Sequence, residues 1–402
     1  MWLMQSSYRL FGIGEWQARL PTAVMAWLLL AIVSIWTTRT ISPYAGLVTG
    51  LILLGTPHFV KEAKVAHLEN PLSLFVTISL LAFYSTDKRT QGAVVCGICT
   101  GLAFLTKWIA GIFAPIIQLC LILVGFNKTV MKNKWWWSGY IIGVCIAIPW
   151  FVHHYFSYPK EFIDTYFGRT LISSLTTVIS HHSGNLLFYL KIFLRKARPW
   201  GLFFIPVLAY LSYFSLKKDT ISQFLLCWLS IIFVLFSIAT TKLHRYIIPI
   251  YPVLAISLAY IIKRTVKQKK HRIYVVIAAV LIILVHILSS HHFRHSDYNR
   301  RITTLTSHIK SDIEHEKTIY MYLGRFKPSL IFYTDKLVHR FQTPQALLEQ
   351  LNDKGKIILL AEQPDDKTIT KLIEEEKCKS YKKYVQVDDL FVFYLQQNGS
   401  SK

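Results

Sequence analysis

Hydrophobic residues along this chain come in long blocks that are separated by short polar connections. A helix needs roughly 20 residues to cross a bilayer, and most of the blocks are near that length. We predict about ten crossings from them, although several blocks are slightly short or contain Pro or Gly. The blocks lie at residues 20–38, 43–60, 68–84, 91–105, 109–126, 135–152, 199–216, 221–240, 246–262 and 273–290. This pattern predicts a mainly α fold, a polytopic bundle of transmembrane helices.

The pattern changes after residue 290, where short apolar runs alternate with helix-like stretches. The runs typical of strands are Thr318–Leu323, Leu330–Tyr333, Lys356–Leu360 and Leu390–Leu395, and the helix-like stretches are Ile302–His315, Pro344–Asn352 and Lys367–Glu375. This alternation indicates a small α/β domain. We therefore divide the chain into a membrane module, residues 1–290, and an α/β domain, residues 291–402. The sequence of the α/β domain has no glycine-rich phosphate loop and no metal-ligand spacing, which favours a structural or acceptor-facing role.

Composition agrees with a membrane protein, since 53% of the 402 residues are hydrophobic and 14% are aromatic. The formal charge of +23 raises nucleic acid as a partner, but the basic residues fall mostly in connections between apolar blocks. Every second connection is richer in Lys and Arg, and the positive-inside rule assigns these to the cytoplasm. The less basic connections, with Lys61, Lys64, Lys107, Lys242 and Arg245, are predicted on the external side together with the α/β domain. This distribution indicates membrane lipids as partners and no nucleic acid.

Residues 241–252 place dense polar chemistry between two apolar blocks. Lys242, Arg245 and Tyr246 lie there beside two prolines, in what should be a tight turn at one membrane face. Charge at a bilayer edge either snorkels into the headgroups or serves a function. Fixed cations and a phenol suit a phosphate group, so we predict an anion pocket for a lipid phosphate. The alternative is headgroup snorkelling together with an interfacial tyrosine.

Two further connections on the predicted external side carry candidate residues. Glu69 stands just before Pro71, where a helix can begin, and it is a candidate for orienting an acceptor or binding a sugar. The alternative is a carboxylate that stabilises the helix N-terminus through the macrodipole. Lys107, between two apolar blocks, is either a contact for the donor phosphate or an interfacial anchor. Lys64 is grouped with it as a candidate donor contact.

Six short motifs, in order between Trp2 and Pro249, resemble the membrane glycosyltransferases of the protein mannosyltransferase and aminoarabinose transferase group. They are Trp2-Leu3 with Leu10-Phe11-Gly12 and Arg19-Leu20-Pro21, Leu105-Thr106-Lys107, Pro149-Trp150 with Glu161-Phe162, His181-His182-Ser183-Gly184, Pro199-Trp200, and Lys242-Leu243-His244-Arg245-Tyr246-Ile247-Ile248-Pro249. The corresponding family patterns are WL…LFG…RLP, LTKG, PW…EF, HHGP, PW and KLPHYVLP. Each motif is weak alone, and their shared order makes the resemblance specific. Trp108 departs from the pattern, because it stands where the family usually has Gly.

The resemblance implies a transferase of the GT-C type, a helical membrane bundle whose active-site loops lie at the external face. Such an enzyme transfers a glycosyl group from a polyprenyl-phosphate sugar to a hydroxyl or phosphate group on a lipid or protein. Its expected place is a bacterial inner membrane. The donor phosphate would contact Lys242, Arg245, Tyr246, Lys107 and Lys64.

One departure from the family concerns the start of the chain. In the family, a first span and a loop precede the WL motif, and that loop carries the acidic residue regarded as the catalytic base and a KPP segment. This chain begins at Met1-Trp2. We therefore expect either a true start further upstream or a truncated copy. The family often has Asp at the position of Glu69, which makes Glu69 the candidate catalytic carboxylate.

His181 and His182 invite a metal site. Adjacent histidines point in different directions on most backbones, and no carboxylate with ligand spacing follows them, which favours a structural or hydrogen-bonding role. A divalent metal ion at this pair is the alternative that the relatives imply. We expect no other cofactor.

Two other functions stay open. A transporter or flippase for lipid-linked sugars would carry broken helices or polar residues at mid-span, whereas the charges of this chain gather at the ends of the spans. The third possibility is an inactive remnant that binds lipid phosphate or a partner.

Overall fold

The structure, a computed structural model, describes residues 2–86, 90–166, 187–239, 242–289, 300–314, 318–322, 328–341, 343–354, 356–362, 366–375 and 378–396. The chain divides into two compact units, residues 1–293 and 294–402. The first unit is helical and the second is built around a β-sheet. The predicted fold class, a mainly α transmembrane bundle followed by a small α/β domain, is confirmed.

The first unit contains helices over nearly all of its described residues. They are α1 (Trp2–Phe11), α2 (Glu15–Thr40), α3 (Pro43–Leu54), α4 (Pro57–Ala63), α5 (Glu69–Tyr84), α6 (Thr90–Thr106), α7 (Trp108–Gly111), α8 (Phe113–Leu123), α9 (Lys134–Ser157), α10 (Pro159–Phe162), α11 (Phe188–Lys196), α12 (Phe204–Leu216), α13 (Thr220–Ile238), α14 (Tyr251–Thr265) and α15 (Lys269–Ser289). Within the described ranges, the 3-10 helices Lys128–Lys132, Trp200–Phe203 and His244–Ile250 join some of them. Each of the ten apolar blocks coincides with one of these helices or with a consecutive pair.

Five helical segments among the described residues are long and apolar enough to cross a membrane, and their presence makes the chain a multi-pass membrane protein. They are Glu15–Thr40, Lys134–Ser157, Thr220–Ile238, His244–Thr265 and Lys269–Leu288. The pair α3 and α4 passes the same test as one span, broken by a bend of 70°. Thr90–Thr106, Trp108–Leu123 and Trp200–Leu216 are shorter apolar helices. The count of about ten crossings therefore stays a prediction.

The bend between α3 and α4 has a local cause. Gly55 ends α3, and Thr56 adopts an extended conformation before α4 begins at Pro57. Proline is suited to the first helical turn because it lacks the N–H that would have no partner there. The break therefore starts a separate helix, which carries polar residues into the end of the bundle.

Helix α14 forms the centre of the first unit. All ten residues from Tyr251 to Tyr260 are buried. Helix α13 packs beside it through large side chains, among them Trp228, which is fully buried. Because α13 and α14 are joined through the 3-10 helix His244–Ile250, they form a helical hairpin at the core of the bundle, and each end of this hairpin carries charged residues.

Helices α6 and α9 pack with their backbones in close contact along a seam of four glycines. A Cβ atom on Gly97 would lie 2.1 Å from the backbone of Gly139, and one on Gly101 would lie 2.3 Å from the carbonyl oxygen of Gly143. Both helices carry the glycines four residues apart, the spacing that lets membrane helices approach each other most closely. A polar network then ties α5, α6, α8 and α9 together. It consists of hydrogen bonds among Ser79, Cys96, Thr100, Gln118 and Tyr140.

The second unit is a five-stranded mixed sheet with helices on both faces. Its strands are β1 (Thr318–Tyr322), β2 (Leu337–Phe341), β3 (Lys356–Glu362), β4 (Lys379–Val387) and β5 (Leu390–Gln396), in the order β2-β1-β3-β5-β4. Strand β1 pairs in parallel with β2 and β3, whereas β5 pairs antiparallel with β3 and β4. Side chains of β3 alternate between two hydrophobic clusters, one with α16 (Arg300–Ile313) and α17 (Pro328–Thr334), the other with α18 (Pro344–Lys354) and α19 (Asp366–Glu374).

One predicted element of this unit is wrong. Residues 330–333 form part of the helix α17, not a strand. Pro328 begins the helix, and the hydroxyl of Thr334 donates a hydrogen bond to the carbonyl of Leu330 four residues earlier. Leu330 is buried against α16, so a short apolar run faces the core from one side of a helix. Strand β2 begins after the predicted run Leu330–Tyr333, and strand β4 lies outside all of the predicted runs.

Candidate functional site

Two groups of polar side chains meet where three connections of the first unit come together. The connections are the residues between α4 and α5, Lys107 between α6 and α7, and the 3-10 helix His244–Ile250. We call Glu69, Lys107, Arg245 and Tyr246 the cation cluster. We call His58, Glu62, His67 and His244 the histidine cluster. The two groups are linked directly, because His244 and Arg245 are neighbours in the chain.

The cation cluster is arranged around a single carboxylate oxygen. Glu69 is the first residue of α5 and is buried. Its Oε1 atom lies 3.2 Å from Nζ of Lys107 and 3.2 Å from Nε of Arg245. Nζ of Lys107 also lies 3.8 Å from the centre of the Tyr246 ring, a cation–π contact. Residues from α5, from the end of α6 and from the hairpin turn are therefore held together by charge.

The charges of this cluster do not balance. One carboxylate faces two cations, which leaves one surplus positive charge. The side chains of Lys107 and Arg245 are 29% and 35% exposed, so both cations stay accessible although Glu69 is not. Burial lowers the pKa of Lys107, the Glu69 carboxylate works against that shift, and the charge of Arg245 adds to it. An accessible site with surplus positive charge attracts an anion.

Local sequence explains why Glu69 stands where it does. Pro71 follows within the first turn of α5, where proline is tolerated, and a carboxylate at this end of a helix is favoured by the macrodipole. Asn70 is fully buried, and neither polar atom of its amide has a hydrogen-bond partner among the described residues. Buried amides are rarely left in this state. The first turn of α5 therefore contains a buried amide, that of Asn70, whose donor and acceptor groups are not paired with any described residue.

The remaining predicted phosphate contacts lie elsewhere in the same region. Lys242 is buried, and its ammonium donates a hydrogen bond of 2.8 Å to the carbonyl of Ala239, at the C-terminal end of α13. A cation there stabilises the end of the helix dipole. Lys64 is exposed at the C-terminal end of α4. The structure thus brings Lys107, Arg245 and Tyr246 together around Glu69, whereas the ammonium of Lys242 contacts a helix end. Roles for all of them in binding phosphate stay predictions.

The histidine cluster was missing from the sequence-based candidates. His58 and Glu62 lie four residues apart on α4, so they share one face of that helix. Nε2 of His58 lies 3.2 Å from Nδ1 of His244 and 3.8 Å from Oε1 of Glu62. Nδ1 of His244 lies 3.7 Å from the same oxygen. Among the described residues, these three form the group of His, Cys, Asp and Glu side chains whose ligand atoms are close enough to hold a metal ion.

A sequence signal for this cluster existed. His58 lies inside the apolar block 43–60, for which hydropathy predicts one continuous span. The run Gly55-Thr56-Pro57 marks a helix break, and the spacing of His58 and Glu62 then puts both side chains on one face of a short helix. The predicted metal residues His181 and His182 lie outside the residues that the structure describes, so a metal ion at that pair stays a prediction.

Comparison with known proteins gives several matches. The sequence profile of the dolichyl-phosphate-mannose-protein mannosyltransferase family matches residues 1–153, which include Glu62, Glu69 and Lys107 but not the hairpin turn. An uncharacterised protein of Aquifex aeolicus is 26% identical over 72% of this chain and 57% of its own length. An undecaprenyl phosphate-alpha-4-amino-4-deoxy-L-arabinose arabinosyl transferase of Photorhabdus laumondii is 27% identical over 48% of this chain and 35% of its own length. The chain therefore spans well under two thirds of both relatives.

The fold has a counterpart among solved structures. The crystal structure of ArnT from Cupriavidus metallidurans bound to undecaprenyl phosphate superimposes with a TM-score of 0.78. The match covers 98% of this chain and 86% of that one, at 18% sequence identity. A likeness over nearly the whole chain at such low identity establishes a common fold, with a helical bundle and a small sheet domain.

Proposed function

We propose that the chain is a GT-C membrane glycosyltransferase of the protein mannosyltransferase and aminoarabinose transferase group, and that it transfers a glycosyl group from a polyprenyl-phosphate sugar to a lipid or protein acceptor. The reaction takes place at the external face of a bacterial inner membrane. The single observation that carries the proposal is the cation cluster, in which Lys107 and Arg245 face one carboxylate and remain accessible.

Fixed cations suit the departing group of this reaction. The bond between the anomeric carbon and the phosphate oxygen breaks, and its electron pair stays on the polyprenyl phosphate. The acceptor oxygen forms the new bond to the anomeric carbon, and its proton passes to a general base. Negative charge therefore grows on the phosphate in the transition state. Cations that are already in place stabilise that charge without reorganisation.

Within the proposal, each member of the cation cluster has a distinct part. Arg245 offers a planar set of donors that matches phosphate oxygens, and Lys107 acts as a point charge beside it. Tyr246 adds a hydroxyl donor, and its ring holds the Lys107 ammonium. Glu69 accepts a hydrogen bond from Lys107 and forms an ion pair with Arg245, and so orients both cations, which makes it a positioning residue. A catalytic role for Glu69 remains the alternative that the sequence suggested.

Transfer can be tested in membranes that contain the full chain and a radiolabelled polyprenyl-phosphate sugar. Arg245→Gln removes the more exposed cation of the cluster and is expected to lower kcat/KM on the order of 100-fold, the effect of losing one preorganised donor to a developing negative charge. The matched control is Lys267→Gln, which removes one exposed positive charge at the opposite end of the α13–α14 hairpin and should leave the rate unchanged.

The outcomes separate the candidate functions. Labelled product that depends on Arg245 supports transfer. Movement of intact donor across the bilayer without product would indicate a flippase. Donor binding that depends on Arg245 with neither product nor movement would indicate a binding protein. An Arg245→Gln variant as active as Lys267→Gln would refute the cation cluster as the phosphate site.

A further inference from the structure

The histidine cluster has a geometry that hydrogen bonding alone does not require. Its three inner atoms are Nε2 of His58, Nδ1 of His244 and Oε1 of Glu62. They form a nearly equilateral triangle with sides of 3.2, 3.7 and 3.8 Å. Tetrahedral Zn²⁺ holds nitrogen and oxygen ligands about 2.0–2.2 Å away, which spaces neighbouring ligand atoms about 3.3–3.6 Å apart. An ion at the centre of this triangle therefore needs only small adjustments of the side chains.

The second atoms of two ligands are also occupied in the manner of a metal site. Nδ1 of His58 lies 2.7 Å from the hydroxyl of Tyr251, a fully buried residue at the start of α14. Oε2 of Glu62 accepts a hydrogen bond of 2.8 Å from Nδ1 of His67. Such outer contacts fix the tautomer and the orientation of ligating side chains. Each leaves the atom that faces the triangle available.

The three side chains of the triangle differ in their exposure to solvent. The side chains of His58 and Glu62 are almost fully buried, whereas that of His244 is 39% exposed. A buried carboxylate beside two imidazoles is costly unless a cation pairs with it. The exposed side at His244 leaves room for water or another ligand as the fourth partner, the arrangement of three protein ligands and one open position.

Two features of the cluster oppose a metal ion. Lys61 and Lys196 place positive charge near both histidines, which weakens the binding of a dication. The same charges also oppose protonation of the imidazoles, and a metal ligand must be unprotonated. A shared proton between His58 and His244 explains the distance of 3.2 Å between their nitrogens. It does not explain why Glu62 lies almost equally far from both nitrogens.

We propose that His58, Glu62 and His244 bind a divalent transition-metal ion such as Zn²⁺, with Tyr251 and His67 supporting the ligands. The ion ties α4 to the 3-10 helix His244–Ile250 and so holds Arg245, the neighbour of one ligand, in position. This inference goes beyond the proposed function, because metal binding at these residues is measured without any transfer reaction. It also differs from a metal site at His181 and His182.

The test uses the full chain in detergent with an affinity tag that contains no histidine. The protein is stripped with a chelator, titrated with Zn²⁺ alone, and analysed for metal per chain. His244→Gln removes the most exposed ligand, which is the ligand whose loss should disturb folding least. We expect it to lower the affinity for Zn²⁺ about 100-fold or more, and His67→Gln to lower it about 10- to 100-fold. The matched control, His153→Gln, removes an exposed histidine of α9 and should bind as the wild type does.

A second measurement keeps the proposal testable if a variant fails to fold. Co²⁺ in a site of this kind gives the intense visible absorption of four-coordinate cobalt, and Zn²⁺ should displace it from the wild-type chain with a one-to-one endpoint. Titrations of wild type and His244→Gln that coincide would overturn the proposal. So would a wild-type chain in which Co²⁺ keeps the weak absorption of its hydrated ion.

Discussion

The α13–α14 hairpin carries a charge cluster at each end, and the two clusters differ in balance. At one end, Asp219 accepts hydrogen bonds from the backbone N–H of Ser222 and the hydroxyl of Tyr260, and it pairs with Arg264 at 3.4 Å. One carboxylate faces one guanidinium there. At the other end, Glu69 faces both Lys107 and Arg245. Both ends use the same kinds of residue, joined by the same two helices.

The difference indicates that the charges at the first end stabilise the structure and that those at the second end can bind a ligand. Asp219 caps α13, so its oxygens already satisfy a helix end, a phenol and a cation. The guanidinium of Arg264 additionally covers the ring of Phe214 at 4.1 Å. These contacts balance the charge of Asp219 against that of Arg264. At the cation cluster, a phosphate would complete the balance, and the second cation has no other carboxylate partner among the described ion pairs.

We call the end with the cation cluster the unbalanced end and the end with Asp219 and Arg264 the balanced end. The largest effect is expected from removing both cations of the unbalanced end. Lys107→Gln with Arg245→Gln should lower kcat/KM for glycosyl transfer on the order of 1000-fold, because the departing phosphate loses both fixed charges. The combined loss should be smaller than the product of the single losses, since both residues act on one anion. The control is Lys263→Gln with Lys267→Gln at the balanced end. Equal rates for the two double variants would remove the functional difference between the ends.

The carboxylate of the cation cluster is expected to matter for stability. Glu69→Gln leaves two partly buried cations without a counter-charge, which should lower the free energy of unfolding by about 1–3 kcal/mol. The matched control is Glu15→Gln in the first turn of α2, where Glu15 pairs with Arg19 in a half-exposed position. That change should cost about 0.5 kcal/mol or less. Thermal unfolding in detergent measures both, and similar losses would contradict the difference in burial.

At the balanced end, we expect a substitution to change stability and not transfer. Arg264→Gln breaks an ion pair whose side chains are 40% and 25% exposed, so we expect a loss of about 0.5–1 kcal/mol in the free energy of unfolding. Transfer by the folded variant should equal that of the wild type. Activity per folded molecule, measured beside thermal unfolding, checks this. A variant that folds normally but loses transfer would assign function to the balanced end.

A smaller effect is expected from pH, through Lys107. Burial lowers its pKa in the folded chain, against the pull of Glu69 and with the help of Arg245. Between that lowered pKa and the ordinary value of about 10.4, the unfolded chain holds more protons, so the contribution of Lys107 to stability rises with pH. Donor affinity should fall over the same window, because the ammonium loses its charge.

Lys107→Arg tests this assignment, since a guanidinium stays protonated throughout the window. Donor affinity measured from neutral to alkaline pH should drop for the wild type and stay level for Lys107→Arg. Identical profiles for the two proteins would mean that another group causes the drop.

The sequence predicted much of this architecture for physical reasons that are local. Long apolar blocks must be helices in a membrane, so the positions of the helices follow from hydropathy. Glu69, Lys107 and Arg245 were all identified as charged residues at block ends. Their meeting at one oxygen atom was beyond reach, because it depends on how three connections pack against one another. Lys242 shows the converse, since its proximity in sequence to Arg245 did not put its ammonium on Glu69.

The misses have equally particular causes. His58 was hidden because the break at Pro57 interrupts a block that looks continuous by hydropathy. Strand β4 was missed because it is an edge strand with a lysine-rich sequence, and edge strands use charge to avoid pairing with other chains. Residues 330–333 were assigned to a strand because a four-residue apolar run has no periodicity, and the decisive signal was Pro328 outside it.

The glycine seam between α6 and α9 limits the substitutions that this sequence can accept. Lys107 follows Gly101 by six residues, about 9 Å along a helix, and any side chain at Gly97, Gly101, Gly139 or Gly143 would push the two backbones apart. Adding a single methyl group at one of them, as in a change from Gly to Ala, would displace α6, the helix that ends just before Lys107. Selection on charge geometry at the membrane edge is therefore exerted on residues that carry no charge and lie inside the bundle.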